Sequence, residues 1–249
     1  MIRASNTFRA LRHPNFRLWF FGQTISLIGS WMQTMAQQVL VYRLTGSAAA
    51  LGMVNFVALI PLIPFSLWGG SLVDRLPKRR VLIVVQWLML IQAALLGGLA
   101  WAGLVKVWHV YVLSFLLGAV NAVDLPARQA FTTDMVEGKE DLTNAIGLNS
   151  AMFNAARAIG PALAGLVVAA VGEGPAFLLN AASFLAVIFS LLAMKNLPPV
   201  PPLSASARGL AHMVGGARYV AGQPVMLMLI ALVAVSALLS MPYGTLLPV

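Results

Sequence analysis

The chain has 249 residues, 60% of them hydrophobic and only 9% charged, whereas a soluble domain carries about 25% charged residues. So much apolar surface cannot be hidden behind a wettable exterior, so lipid is the solvent. Cysteine is absent, which excludes a disulfide framework, a thiolate metal site and a cysteine nucleophile. The net charge of +9 arises from basic residues set between apolar runs rather than from one patch, an arrangement that speaks for membrane topology and against a nucleic-acid partner. His13, His109 and His212 lie far apart, and no HExxH, P-loop or strand-borne GxGxxG is present, so neither a metal nor a cofactor nor an enzyme constellation is expected.

The gaps between charges define the elements. Arg17 to Arg43 encloses 25 uncharged residues, Arg43 to Asp74 encloses 30, Arg80 to Lys106 encloses 25, Lys106 to Asp124 encloses 17 and Glu173 to Lys195 encloses 21. A spanning helix needs roughly 20 apolar residues, because it rises ~1.5 Å per residue across a ~30 Å hydrocarbon core. The runs are too long for barrel strands and do not alternate. They predict spans over 18–42, 48–72, 81–103, 107–127, 143–170 and 176–194. The first is too long for a signal peptide and is closely followed by another span.

After the sixth span a Pro-rich stretch leads into a weak helical stripe (Leu203, Ala207, Leu210, Val214, Ala217, Ala221), read as a cytoplasmic linker with an interfacial helix over 197–223. A further apolar run over 224–249 reads as a seventh span cut short. The expected organisation is a six-helix domain (1–196), the linker, and the start of a second domain. Thirteen of the Lys and Arg residues fall on one side of this scheme and two, Arg43 and Lys106, on the other. That asymmetry predicts a multi-pass protein of the cytoplasmic (inner) membrane with a cytoplasmic amino terminus.

Polar residues inside the spans identify sheltered faces. At 100° per residue, Gln23, Ser26, Ser30, Gln33, Thr34 and Gln37 of the first span share an arc of about 100°. Interhelical hydrogen-bond glue is one reading, at ~0.6 kcal/mol per contact; lining of a cavity is the other. On the fifth span Thr143, Gly147, Ser150, Asn154, Arg157, Pro161 and Gly165 share a face. Arg157, near mid-membrane, is expected either to be satisfied structurally or to face a water-filled path. Asn55 on the second span and Ser114, Gly118 and Asn121 on the fourth extend the polar set.

Between the second and third spans lies GGSLVDRLPKRR, Gly69 to Arg80. Asp74 ends a helix, and Arg75, Lys78, Arg79 and Arg80 crowd the turn. Asp124, placed at the cytoplasmic end of the fourth span, is expected to meet these bases and form a cytoplasmic latch.

This segment resembles the loop motif G-x-L-x-D-R-x-G-R-R of the major facilitator superfamily, through Gly70, Leu72, Asp74, Arg75, Lys78, Arg79 and Arg80, with Pro77 in place of the usual glycine. ARAIGPALAG, Ala156 to Gly165, is similar to the fifth-helix motif that the family associates with exporters, matched at Gly160, Pro161 and Gly165. FRLWFFGQTISLIGSWM, LTGS at Leu44–Ser47 and LPARQAF at Leu125–Phe131 resemble the secretion-effector branch, which includes siderophore and macrolide exporters. In one departure, Ser114 stands where the family often places an arginine four residues before a glycine such as Gly118. Proton coupling, if present, would then fall to Asp124 or to residues past Val249.

The resemblance implies an all-α fold of two inverted three-helix units, completed by a second six-helix half. It implies a secondary transporter, an antiporter-like efflux permease for a small organic compound, working by alternating access. The alternative is a non-transporting half acting as a membrane scaffold or sensor. The substrate path is assigned to the first-span stripe with Asn55, Asn121, Ser150, Asn154 and Arg157. The gate is assigned to the loop residues with Asp124, and helix-five packing to Gly160, Pro161 and Gly165.

Overall fold

A computed structural model describes residues 7–62, 64–65, 73, 76–198, 222–229, 231–232 and 235. Gly70, Asp74 and Arg75 of the expected gate, and the stripe from Leu203 to Ala221, lie outside them. A short 3-10 helix, Arg9–Arg12, leads into α1 (Pro14–Thr45), followed by α2 (Ala48–Leu59), α3 (Lys78–Trp101), α4 (Val107–Asp134), α5 (Lys139–Val171) and α6 (Glu173–Ala193). Residues 224–229 are helical as well. Among the described residues there is no strand.

The helices start and stop for local reasons. Pro14 sits at the first position of α1, where its missing N–H costs nothing. At the other end of α1, Gly46 takes a left-handed conformation (φ 61°) and donates its N–H to the Tyr42 carbonyl. Helices α3 to α6 are each long and apolar enough to cross a membrane. At 32 residues α1 has the length, but its Gln, Ser and Thr side chains make it less apolar than those four.

The fourth helix departs from expectation. It runs to Asp134, seven residues past the predicted end at 127, with Pro126 inside it. Ala127 and Phe131 are wholly buried, and Phe131 packs edge-on against Trp19 of α1 at 5.7 Å. That burial holds the helix together through the proline.

The contacts at the two ends fix the helix directions. At one end Asn15 at the start of α1 donates to the Lys195 carbonyl beyond α6 (2.7 Å), and Lys78 at the start of α3 pairs with Asp134 at the end of α4 (2.8 Å). At this end, too, Arg9 meets Glu140 and Asp141 at the start of α5. At the other end Arg43 pairs with Glu173 at the start of α6 (3.0 Å). Successive helices therefore run in opposite directions.

The most extensive pairings are α1 with α6, α3 with α6, and α1 with α5, followed by α3 with α4 and α2 with α4. Exchanging α1 with α4, α2 with α5 and α3 with α6 maps these five pairings onto themselves. Because α1 and α4 point in opposite directions, this is the packing of two inverted three-helix units.

The core has two apolar clusters. One, near the end where α1 starts, holds Phe16, Trp19, Leu82, Met89, Phe131 and Phe184. The other, toward the far end, holds Met32, Leu40, Leu51, Leu96, Val110 and Phe177. Outward-facing side chains are apolar too, among them Val84, Ile91 and Leu95 of α3 and Leu179 and Phe189 of α6. Among the described residues, eleven polar or charged ones, Gln23, Gln33, Gln86, Gln92 and Asn180 included, are by contrast buried. Apolar outside and polar inside is the distribution that a hydrocarbon solvent demands.

Candidate functional site

A cavity of about 950 Å³ opens between α1, α2, α4 and α5. Its polar lining is Gln23, Ser30, Gln33, Thr34, Gln37 and Gln38 from α1, Asn55 from α2, Ser114, Asn121, Asp124, Arg128, Gln129 and Thr132 from α4, Asn149, Ser150 and Asn154 from α5, and Asn180 from α6. Trp19, Trp31, Phe153 and Phe184 supply aromatic wall. A volume of this order suits a drug-sized molecule, and an apolar wall with a few convergent polar groups is the usual chemistry of such sites.

Two residues assigned to the path from sequence do not line it. Ser26 turns into the bundle, 1% exposed, with no partner for its hydroxyl. Arg157 is exposed on α5, its guanidinium carbon 5.8 Å from the Trp31 ring. Phe153, one turn earlier, meets the same indole at 5.6 Å. Arg157 makes no ion pair among the described residues.

The α1 stripe divides by depth into glue and lining. Gln33 accepts from Asn180 of α6 (2.7 Å) and donates to Gln92 of α3 (3.1 Å), and Ser183 donates to the Asn180 side-chain oxygen (3.0 Å). Three helices are tied through one carboxamide that also lines the cavity. Gln37 donates to Ser114 of α4 (3.1 Å). Ser30 and Thr34 donate to carbonyls one turn back in α1, and Ser150 and Asn154 do the same in α5. These groups keep acceptor capacity toward the cavity while their donors stay satisfied. The Gln23 carboxamide is 1% exposed, and neither its oxygen nor its nitrogen has a partner.

The acid expected at the latch sits elsewhere. Asp124 is ten residues, roughly 15 Å, inside the end of α4. It is 2% exposed, pairs with Arg128 one turn on, and accepts from Gln86 of α3 (3.3 Å). Because α4 continues to Asp134, among the described residues it is Asp134 and not Asp124 that meets a base of the turn, through Lys78 (2.8 and 2.9 Å). Arg79 instead donates to the Leu192 carbonyl at the end of α6 (2.9 Å), where a cation suits the helix terminus. Arg80 is exposed.

The helix-five motif also divides. A Cβ on Gly160 would lie 2.4 Å from the Trp31 Cβ and 2.9 Å from the Ile28 carbonyl oxygen, so a bare backbone there lets α5 approach α1. At Gly165 nothing lies within 4 Å of such an atom. Pro161 lies inside α5 without ending it.

Sequence reading missed Arg128, Gln38, Gln129, Thr132, Asn149 and Asn180 as cavity residues, and Gln86 and Gln92 as the partners of Asp124 and Gln33. Gln86, Gln92 and Asn180 had a signal: each is an amide in a strongly apolar run, and such a residue rarely faces lipid.

Comparison with known proteins matches residues 5–249 to the family described as transmembrane secretion effector. The chain is 30% identical over 176 residues to the staphyloferrin A transporter of Staphylococcus aureus, covering 70% of this chain and 44% of that protein. It is 28% identical over 160 residues to macrolide efflux protein A of Streptococcus pyogenes, covering 63% and 39%. It is 28% identical over 188 residues to the multidrug efflux pump Tap of Mycobacterium bovis, covering 74% and 45%. The alignments therefore take in less than half the length of each relative. With a match over nearly its whole length and a bundle of inverted three-helix units, the chain belongs to the transmembrane secretion effector family of major facilitator transporters, and is a multi-pass membrane protein.

Proposed function

We propose that this chain is the amino-terminal half of an efflux transporter for a small organic compound. In this reading the cavity between α1, α2, α4 and α5 is its share of the path. A second six-helix half closes the other side, and the two rock about the cavity in alternating access. The observation that carries the reading is the 950 Å³ cavity with its amide-rich, aromatic-walled lining, inside a bundle whose outward face is apolar. Amides and hydroxyls offer both donors and acceptors without fixed charge, which suits compounds of varied polarity such as siderophore- or drug-like molecules. The amino terminus is placed in the cytoplasm, since Arg12, Arg17, Lys78, Arg79, Arg80, Lys139 and Lys195 gather at one end of the bundle while Arg43 and Lys106 mark the other.

The test is substrate-dependent flux in everted vesicles carrying the full protein, with and without a pH gradient. Gln37→Ala and Asn121→Ala, both in the cavity lining, should cut flux about tenfold, the loss of about 1.4 kcal/mol of interaction. Val84→Ala on the outer face should leave it unchanged. Equal flux in all three variants would remove the cavity from the path.

A further inference from the structure

We infer that Arg128 and Gln23 form an anion subsite in the cavity, one that selects compounds bearing a carboxylate. This rests on the cavity being a ligand path and names the ligand class it takes. The antiparallel register of α1 and α4 is fixed at two points. Trp19 packs on Phe131, and Gln37 bonds Ser114. Eighteen residues separate the first pair along α1 and seventeen along α4, so the register holds throughout. Gln23, four residues after Trp19, therefore falls level with Ala127 and Arg128.

Both side chains line the cavity. The Arg128 Nε faces Asp124, whose other oxygen is taken by Gln86. Among the described residues no second acceptor meets the guanidinium, and its side chain keeps 18% of its surface open. The two η nitrogens thus remain as a planar pair of donors, the geometry that binds a carboxylate through two parallel hydrogen bonds. Asp124 orients the fork from its buried side.

The second observation is independent. The Gln23 carboxamide, 1% exposed, has neither donor nor acceptor satisfied, which is costly for a buried group that no ligand ever meets. Its N–H donors complete a three-sided seat for one carboxylate, and Trp19 beside it provides apolar wall.

The experiment is equilibrium dialysis of the full protein in nanodiscs, corrected with empty discs, against 1-naphthaleneacetate, 1-naphthaleneacetamide and 1-naphthylethylamine. These share a ring system and differ in charge. The acetate should bind about tenfold tighter than the other two, a difference one charge-assisted contact supplies. Arg128→Gln should bring acetate and acetamide within twofold of each other, while Arg128→Lys keeps part of the preference. Because Arg128→Gln leaves Asp124 buried and unpaired, the double variant Asp124→Asn/Arg128→Gln provides the same comparison without that burden. Asp124→Asn alone should hold or strengthen acetate binding. Equal binding of all three probes to the wild type, or an acetate preference that survives Arg128→Gln or the double variant, overturns the subsite and leaves the cavity as a path. Failure of every probe to bind overturns the cavity itself as a ligand site.

Discussion

Single atoms decide how closely these helices approach. At Gly118 of α4 an added methyl carbon would lie 2.0 Å from the Ala58 carbonyl oxygen of α2, and at Gly160 of α5 it would lie 2.4 Å from the Trp31 Cβ of α1. Neither neighbour is the free end of a flexible chain, so the helices themselves must separate. Gly165, five residues further along α5, meets nothing within 4 Å. Gly160→Ala should therefore cost about 1–3 kcal/mol, the range for overpacking a close contact, and Gly165→Ala close to none. Thermal unfolding in detergent, followed by loss of the monodisperse peak, would order the variants. Equal midpoints would show that the α1–α5 contact does not depend on the bare backbone. The sequence placed both glycines in one motif. It held no information on which had a partner, because a spacing of five residues turns the second well away from the first. The same limit applies to Arg157: its depth was legible from the length of the span, but its place over the Trp31 ring was set by packing between α1 and α5.

A helix in lipid has no solvent to satisfy its amides, so polar side chains become the connections between elements. Gln33, Gln92, Asn180 and Ser183 join α1, α3 and α6 in one chain of hydrogen bonds between the two apolar clusters of the core. Removing Asn180 strands the Gln33 oxygen. Asn180→Ala should lower stability by about 0.6 kcal/mol and by no more than about 1.7, the range measured for interhelical bonds in membranes. A double cycle with Gln33→Ala should recover a coupling of that size, and strict additivity would show that the two amides act separately. Much at this scale was legible. Runs between charges gave the helices, and angular bookkeeping on α1 gave the polar side. The end of α4 was not, because the charges of Asp124 and Arg128 read as the end of the span while the burial of Phe131 against Trp19 carries the helix on to Asp134. That one misplacement put Asp124 at the turn and hid its pairing with Arg128, although their spacing of four residues was visible in the sequence.

At the scale of the molecule, the bundle has an apolar waist and two polar ends, and the ends differ in charge. Basic residues from the starts of α1, α3 and α5 gather with the end of α6 at one of them, while Arg43 and Lys106 stand at the other. Cytoplasmic loops retain Lys and Arg during insertion, so in the proposed orientation the first end is the cytoplasmic one, and alternation of helix direction then fixes every loop. The chain carries no cysteine, which makes it its own background for labelling. A cysteine at Lys106, before α4, should react with a membrane-impermeant maleimide in intact cells. A cysteine at Lys139, before α5, should react only after the membrane is opened, because thirty-three residues and one crossing separate the two. The two labels must differ in this way if α4 spans the bilayer with its Asp134 end inside. Labelling of both positions in intact cells would mean that α4 does not cross, and the inverted pairing of α1 with α4 would lose its physical basis.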